Sequence, residues 1–368
     1  MSAASAAATF YVSTIGSDSN PGSETKPFRT IQRAANIVNP GDTVIVENGI
    51  YMYSGGSASC FGKTIVCISR GGASGQLVTF KSRNKWGAKL DGQNGAAANG
   101  FAFGSGANYV RIQNFEIARL ANASGGASGI EIYNGGSFSE ILGNRIHNIG
   151  RVCTGTNNGQ NGIYIERNNV LVDGNFIHDN GRFKPGQNGC NPPNLNWRNH
   201  DHGIYHSAGD DVTIRNNVIY NIQQGWSIQV YPYSRKRLNI LNNTFAYSNL
   251  HPGKLGAIII WGGMTFSDSN ITNNIFYQVN TTAIWVGGGS PSLSNLRINN
   301  NIVSNGTILK AESGVNTGGI TLSNNRQHVN PGLVNPGASD FHLQANSVAI
   351  DTGAVVPVPT DIDGRTRP

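Results

Sequence analysis

The side chains best suited to chemistry in this 368-residue sequence lie in NHDHGIYHSAGDDVTIRNNVIYNI, which runs from Asn199 to Ile222. His200, Asp201 and His202 open it, and a histidine works as a general base near neutral pH without much tuning. An extended segment puts His200 and His202 on one face, as a metal pair would need. No third ligand follows by spacing, so the ligand set for any metal stays unassigned. Tyr205 offers a phenol that can return a proton to a leaving oxygen, whereas His206 falls in step with inward-facing isoleucines and reads as an interior residue with a hydrogen-bond partner. Two carboxylates, Glu131 and Glu166, lie in the related phrases GIEIY and GIYIE. On neighbouring parallel strands about 4.8 Å apart and two residues out of step, their Cα atoms would stand roughly 8 Å apart. That spacing suits the acid and base of an inverting glycosidase, at ~6.5–9.5 Å. It also suits two ligands of a calcium site, or two solvent-facing glutamates with no joint role. Finally, YPYSRKRLN supplies Arg235, Lys236 and Arg237. Strand alternation turns at least one of them toward the same face, where a guanidinium can clamp a carboxylate and ease proton loss from the adjacent carbon. A solvated basic turn is the plainer alternative.

Something must hold these groups in line, and the sequence repeats. VRIQNFEIAR, EILGNRIHNIG, VLVDGNFIHDNG, VTIRNNVIYNI, LNILNNTFAYS, SNITNNIFYQV and LRINNNIVSNG share an asparagine before an apolar pair. These asparagines are Asn114, Asn144, Asn175, Asn217, Asn243, Asn274 and Asn301, at intervals of 30, 31, 42, 26, 31 and 27 residues. A period near thirty with variable insertions indicates a solenoid. Each phrase reads as two short strands meeting at an asparagine bend, and a third strand precedes it, beginning at Gly129, Gly162, Gly203, Gly225, Gly256 and Ala283. Three strands per coil predict an all-β, right-handed parallel β-helix, with the asparagines stacked as an inward amide ladder. The segment from Thr30, with Ile31, Ala34, Ala35 and Val38 on one face and Asn39-Pro40-Gly41 as its stop, predicts a short N-terminal capping helix.

Composition agrees. Glycine is plentiful, at 48 residues, and only 13% of residues are charged, low for a helical surface and ordinary for stacked strands joined by Gly, Asn, Ser and Thr turns. The formal charge of +7 draws polyanions. Scattered basic residues without a zinc-finger, RNP or helix-turn-helix pattern argue against nucleic acid and favour a polysaccharide partner, an acidic one by charge, with neutral glycans still open. No apolar run is long enough for a membrane span. The opening MSAASAAATFYVS lacks a charged n-region and reads as a remnant rather than a signal peptide, disordered over residues 1–8. Residues 9–368 then form a single β-helix domain, with an N-terminal cap over about 9–55 and a C-terminal cap over about 325–368, expected to be a monomer. The four cysteines, Cys60, Cys67, Cys153 and Cys190, have no zinc spacing and predict disulfides in a secreted or periplasmic protein. Three pairings are open.

The phrases KPFRTIQRAANIVNPGDTVIVENGIY near the start and DFHLQANSVAIDTG with DIDGRTRP at the end resemble those of secreted carbohydrate-active right-handed β-helix proteins, the pectate-lyase-like superfamily. The resemblance spans roughly Phe10 to Pro368. It implies polysaccharide processing by lyase, hydrolase or epimerase chemistry on a shared frame. On that frame, alternation places Ile130, Ile132, Ile163, Ile165, Ile204, Trp226 and Ile228 inward and Glu131, Tyr133, Tyr164, Glu166, Tyr205, Ser207, Ser227 and Gln229 outward, followed by Tyr231, Trp261 and Trp285. The expected reading is a polysaccharide lyase cutting a uronate-containing chain by β-elimination. Arg235 or calcium neutralises the uronate, His202 is the base and Tyr205 the acid, while Glu131, Tyr133, Tyr164, Gln229, Tyr231, Lys236 and Trp261 bind substrate. The alternatives are a glycoside hydrolase using Glu131, Glu166 or Asp201, a uronate epimerase, and a non-catalytic glycan-binding β-helix.

Overall fold

A computed structural model describes residues 6–55, 60, 62–195, 198–248 and 255–367. Residues 1–5 of the expected N-terminal remnant lie outside the described residues. The chain coils through three parallel sheets of twelve, nine and ten strands. The twelve-stranded sheet starts with Thr9–Val12 and Thr43–Val46 and ends with Ile320–Ser323; the nine-stranded sheet runs from Thr64–Ile68 to Thr307–Ala311; the ten-stranded sheet runs from Gly49–Met52 to Arg326–Gln327. Each coil gives one strand to each sheet, so the predicted three-strand β-helix is the fold.

Register makes the core. In the nine-stranded sheet Ile130 pairs with Ile163, Ile163 with Ile204, Ile204 with Ile228, Ile228 with Ile258 and Ile258 with Ile284. All six are fully buried, one isoleucine above another. β-branched side chains stack well at this pitch because their χ1 is already restricted on a strand.

At the corner between the other two sheets, the amide ladder forms as the sequence predicts. Nδ2 of Asn144 donates to Oδ1 of Asn175 at 3.1 Å, and the chain continues through Asn217, Asn243, Asn274 and Asn301 at 2.9–3.0 Å. Each Oδ1 also accepts the backbone N–H of the asparagine one coil earlier, as Asn217 does from Asn175 at 2.9 Å. The ladder differs from expectation at both ends. Asn114 is not a member: Arg145 pairs with Glu116, so Phe115 fills the position equivalent to Asn144, and Phe115 N–H caps the ladder on Asn144 Oδ1 at 2.9 Å. Asn325 extends it beyond Asn301 at 2.9 Å.

The N-terminal helix spans Ile31–Ala35, with the Thr30 side chain accepting the Arg33 N–H and Ile31, Ala34 and Ala35 buried over the first coils. It closes an end that would otherwise expose the core. Cys60 bonds Cys67 and Cys153 bonds Cys190. Among the described residues no helix is long and apolar enough to cross a membrane.

Candidate active site

The outward face of the nine-stranded sheet forms one wall of a groove of about 570 Å³. Glu131 pairs with Tyr164, Tyr164 with Tyr205, Tyr205 with Gln229, Gln229 with Ile259 and Ile259 with Trp285, giving a column of side chains along the floor. A second column, made by Ser128, Asn161, His202 and Trp226, also faces the groove, although strict alternation from Glu131 or Tyr205 would turn it inward. The cause is glycine. Pairing skips Gly129 and Gly162 between Ser128 with Asn161 and Ile130 with Ile163. A Cβ on Gly129, Gly162 or Gly203 would lie 2.5, 2.5 or 2.6 Å from a carbonyl oxygen of the next coil. Only glycine permits that approach, and the face alternation slips by one residue there.

This slip corrects two assignments. Trp226, expected in the interior, packs outside the core with Ile259 and Trp285, and its Nε1 donates to Leu255 O at 2.6 Å. Ser227, expected to face outward, is fully buried and hydrogen-bonded to Ser248. Trp261 packs edge-on to Trp285 at 4.7 Å, completing an aromatic end of the groove with Tyr231.

The far wall is the pair of insertions. Asn157 and Asn158 from one, and Asn199 and His200 from the other, line the groove, and the Cys153–Cys190 disulfide ties the two loops. Beneath them lies a fully buried ion pair. Asp201 accepts from Arg182 Nη2 at 2.8 Å, from Nε at 3.1 Å, and from the backbone N–H groups of Arg182 at 2.8 Å and Gln160 at 3.1 Å. Arg182 in turn donates to the carbonyls of Thr156 and Asn158. Asp201 is therefore a strut of the wall. Its lone pairs are used and it is 0% exposed, so it is not placed to meet a substrate as the sequence suggested.

The basic run is displaced as well. Arg235 and Lys236 pair with Phe266 and Ser267 in the twelve-stranded sheet, away from the groove. The Arg235 guanidinium is buried and donates to the carbonyls of His206, Ser207 and Tyr233; burial pulls its pKa down to about 10. Lys236 lies 3.9 Å from Asp210, and Arg237 binds Asp211 at 2.5 and 2.6 Å. None of the three lines the groove, and among the described residues that do, none is Lys or Arg. His206 is interior, as expected, with Nε2 at 3.0 Å from Gly209 O.

The remaining candidates converge. Tyr164 and Ser207 donate to Glu166 Oε1, Ser207 at 2.8 Å. Glu131 lines the groove beside them, with Oε2 buried and unpartnered. Burial first, and the charge of Glu166 second, push its carboxyl up to about 7. Burial, reinforced by the phenol's own bond to Glu166, raises Tyr164, and burial lifts Tyr205 to about 12. His202 is buried and held well below the usual imidazole range, first by desolvation and then by His200 and Arg182. Its Nδ1 accepts the Trp226 N–H at 3.2 Å, so the proton of the neutral ring sits on Nε2. His202 is thus a hydrogen-bond donor toward the groove, which conflicts with the base role expected of it. Tyr133 is exposed and packs on Tyr164 at 6.2 Å, beside the groove rather than lining it. Among the described residues no group of three or more His, Cys, Asp or Glu side chains could hold a metal ion.

Comparison with known proteins places this arrangement. Residues 10–189 match the family described as "Pel9A-like, right handed beta helix region". The crystal structure of pectate lyase Pel9A superposes with a TM-score of 0.62 over 99% of this chain and 97% of that one, at 17% identity. The structure of XylC in complex with xylose superposes at 0.56 over 86% of this chain and 70% of that one, at 12% identity. The Bacillus subtilis (strain 168) protein YwoF, itself uncharacterized, is 24% identical over an alignment covering 75% of this chain and 70% of its own. By its coils and its sheets this chain is a right-handed parallel β-helix protein, and its residues 10–189 match the Pel9A-like β-helix family.

Proposed function

We propose that the groove hydrolyses a glycosidic bond of a polysaccharide, with Glu131 as general acid and Glu166 as its carboxylate partner. The observation that carries this reading is a groove carboxyl with one oxygen buried and unpartnered beside a second carboxylate that keeps two hydroxyl donors, a setting that pushes the first up to about 7. Two carboxyl groups whose surroundings differ in this way divide the acid and base roles. Glu131, protonated near neutrality, gives its proton to the glycosidic oxygen as the C–O bond breaks. Glu166 takes a proton from the water that adds to the anomeric carbon, so one water is consumed per bond and both new ends carry hydroxyls. The aromatic end of the groove holds neighbouring sugar rings by stacking.

The pectate lyase fold and the formal charge of +7 favour the lyase as the second reading. Against it, Arg235 is buried away from the groove, His202 presents a donor, and among the described residues no group of three or more His, Cys, Asp or Glu side chains gathers. Two disulfides fit an oxidising compartment and hence secretion.

The test is product chemistry. With a panel of neutral and uronate polymers, wild-type protein is expected to release reducing ends without the near-ultraviolet absorbance of an unsaturated uronate. Growth of that absorbance would replace the hydrolase with the lyase.

A further inference from the structure

Eight side-chain polar atoms among the described residues are buried without a hydrogen-bond partner, and five of them belong to residues lining this one groove. Three are amide acceptors, Asn161 Oδ1, Asn199 Oδ1 and Gln229 Oε1, and a fourth oxygen, Glu131 Oε2, accepts when the carboxyl is ionised and donates when it is protonated. One is a donor, Trp285 Nε1. A buried acceptor left open costs about 1–3 kcal/mol, so native proteins keep few of them, and a cluster marks a place where something else completes the bonds. Asn161 is 4% exposed and belongs to the second column of the groove, beside Ser128.

The signs of these groups select the ligand. An acceptor-rich wall asks for donors, and hydroxyl groups supply them while also taking the single indole N–H. A uronate carboxylate brings further acceptors and negative charge against Glu131 and Glu166, with no Lys or Arg lining the groove to offset them. A polyamine sugar chain would supply donors too, but its charges would need carboxylates, and among the described residues that line the groove the one carboxyl is Glu131, which burial pushes up to about 7. The aromatic end, Trp226, Trp261 and Trp285 with Ile259, offers rings and an aliphatic surface to the apolar faces of uncharged sugars.

We infer that the substrate is a neutral, hydroxyl-rich glycan, and that the positive charge of the molecule lies outside the binding groove. This departs from the acidic polysaccharide that net charge alone suggests. The inference rests on the proposed hydrolase reading only in placing the glycan in the same groove.

Binding separates the two. Glu131→Gln protein is titrated by calorimetry against β-glucan, xylan, galactan and mannan, and against polygalacturonate, alginate and chitosan, each at low and high salt. The expected result is that at least one neutral polymer binds ten-fold or more tightly than every charged one, with an affinity that salt does not change. Trp261→Ala and Gln229→Leu are expected each to weaken that affinity at least ten-fold; two variants are used so that one folding failure does not remove the test. Tighter, salt-sensitive binding of any charged polymer, no binding of any neutral polymer, or wild-type affinity in both variants overturns the inference. Neutral binding without release of reducing ends by the wild type would instead overturn the hydrolase and leave the ligand class standing.

Discussion

The asparagine corner and the groove wall are built from the same kind of side chain and do opposite things with it. At the corner, Asn175 Nδ2 donates to Asn217 Oδ1 at 2.9 Å and to Ile141 O at 2.8 Å, and every coil repeats the arrangement for its neighbour. Nothing is left for a ligand. On the groove wall, Asn161 and Asn199 keep acceptors that no protein donor reaches, and Gln229 has the His202 ring beside it. Burial is similar, because Asn217 is 0% and Asn161 4% exposed. The difference is periodicity. An identical residue in each coil finds its own image one strand spacing away and satisfies itself, whereas a column whose residue type changes from coil to coil, such as Glu131, Tyr164, Tyr205 and Gln229, leaves unmatched groups. Repetition makes scaffold, and its interruption makes a site.

The largest effect is expected where the interruption is chemical. Glu131→Gln keeps the shape of the side chain and removes its proton, and kcat should fall about 10²–10⁴-fold, with melting unimpaired. In the wild type the acid must be protonated, so activity should decline as pH rises through about 7. Melting should follow the same group. Its folded pKa lies above the unfolded value, so the folded state binds the extra proton and stability falls as pH rises from about 4.5 to about 7. Differential scanning calorimetry should show the variant gaining on wild type across that window.

Next comes the loop wall. Cys153→Ser with Cys190→Ser releases a crosslink spanning 37 residues, and chemical denaturation should show a loss of about 2–4 kcal/mol. Glycan affinity should drop with it, because Asn157, Asn158 and Asn199 ride on the freed loops. The two asparagine classes then part company. Asn217→Ala strands the Asn175 backbone N–H and takes a partner from its Nδ2, while Asn243 Oδ1 keeps the backbone N–H of residue 217; it should cost about 1–3 kcal/mol, whereas Gln229→Leu removes an amide outside the ladder and should leave the melting temperature unchanged within a degree or two.

Much of the frame was readable in the sequence, and the reasons are local. The asparagine before an apolar pair and the Gly-Ile phrases recur because each coil solves one packing problem, so Asn144 to Asn301 and the column from Glu131 to Gln229 were found by alignment of the repeats. Asn114 misled because it precedes Phe115 by one residue, and an asparagine at positive φ in a turn looks the same in sequence as one in the ladder. Trp226 and Ser227 misled because the slip that Gly129, Gly162 and Gly203 introduce in the preceding coils carries on into this strand, where Ser227 stands in the glycine column. Asp201 and Arg235 have the residue types of a site but spend them on buried partners from other coils, and no spacing rule connects Arg182 to Asp201 or Arg235 to the carbonyls of His206 and Ser207. Glu131, in contrast, was named for its face, and its raised carboxyl follows from burial and from Glu166 beside it.

The central claim is that Glu131 carries a proton near neutrality. Carbon-13 NMR of glutamate-labelled protein, assigned by the Glu131→Gln spectrum, follows that carboxyl through a pH titration. The account predicts a midpoint at about 7, shifted downward when Glu166→Gln removes the neighbouring charge; a midpoint in the ordinary glutamate range, indifferent to Glu166, would contradict it.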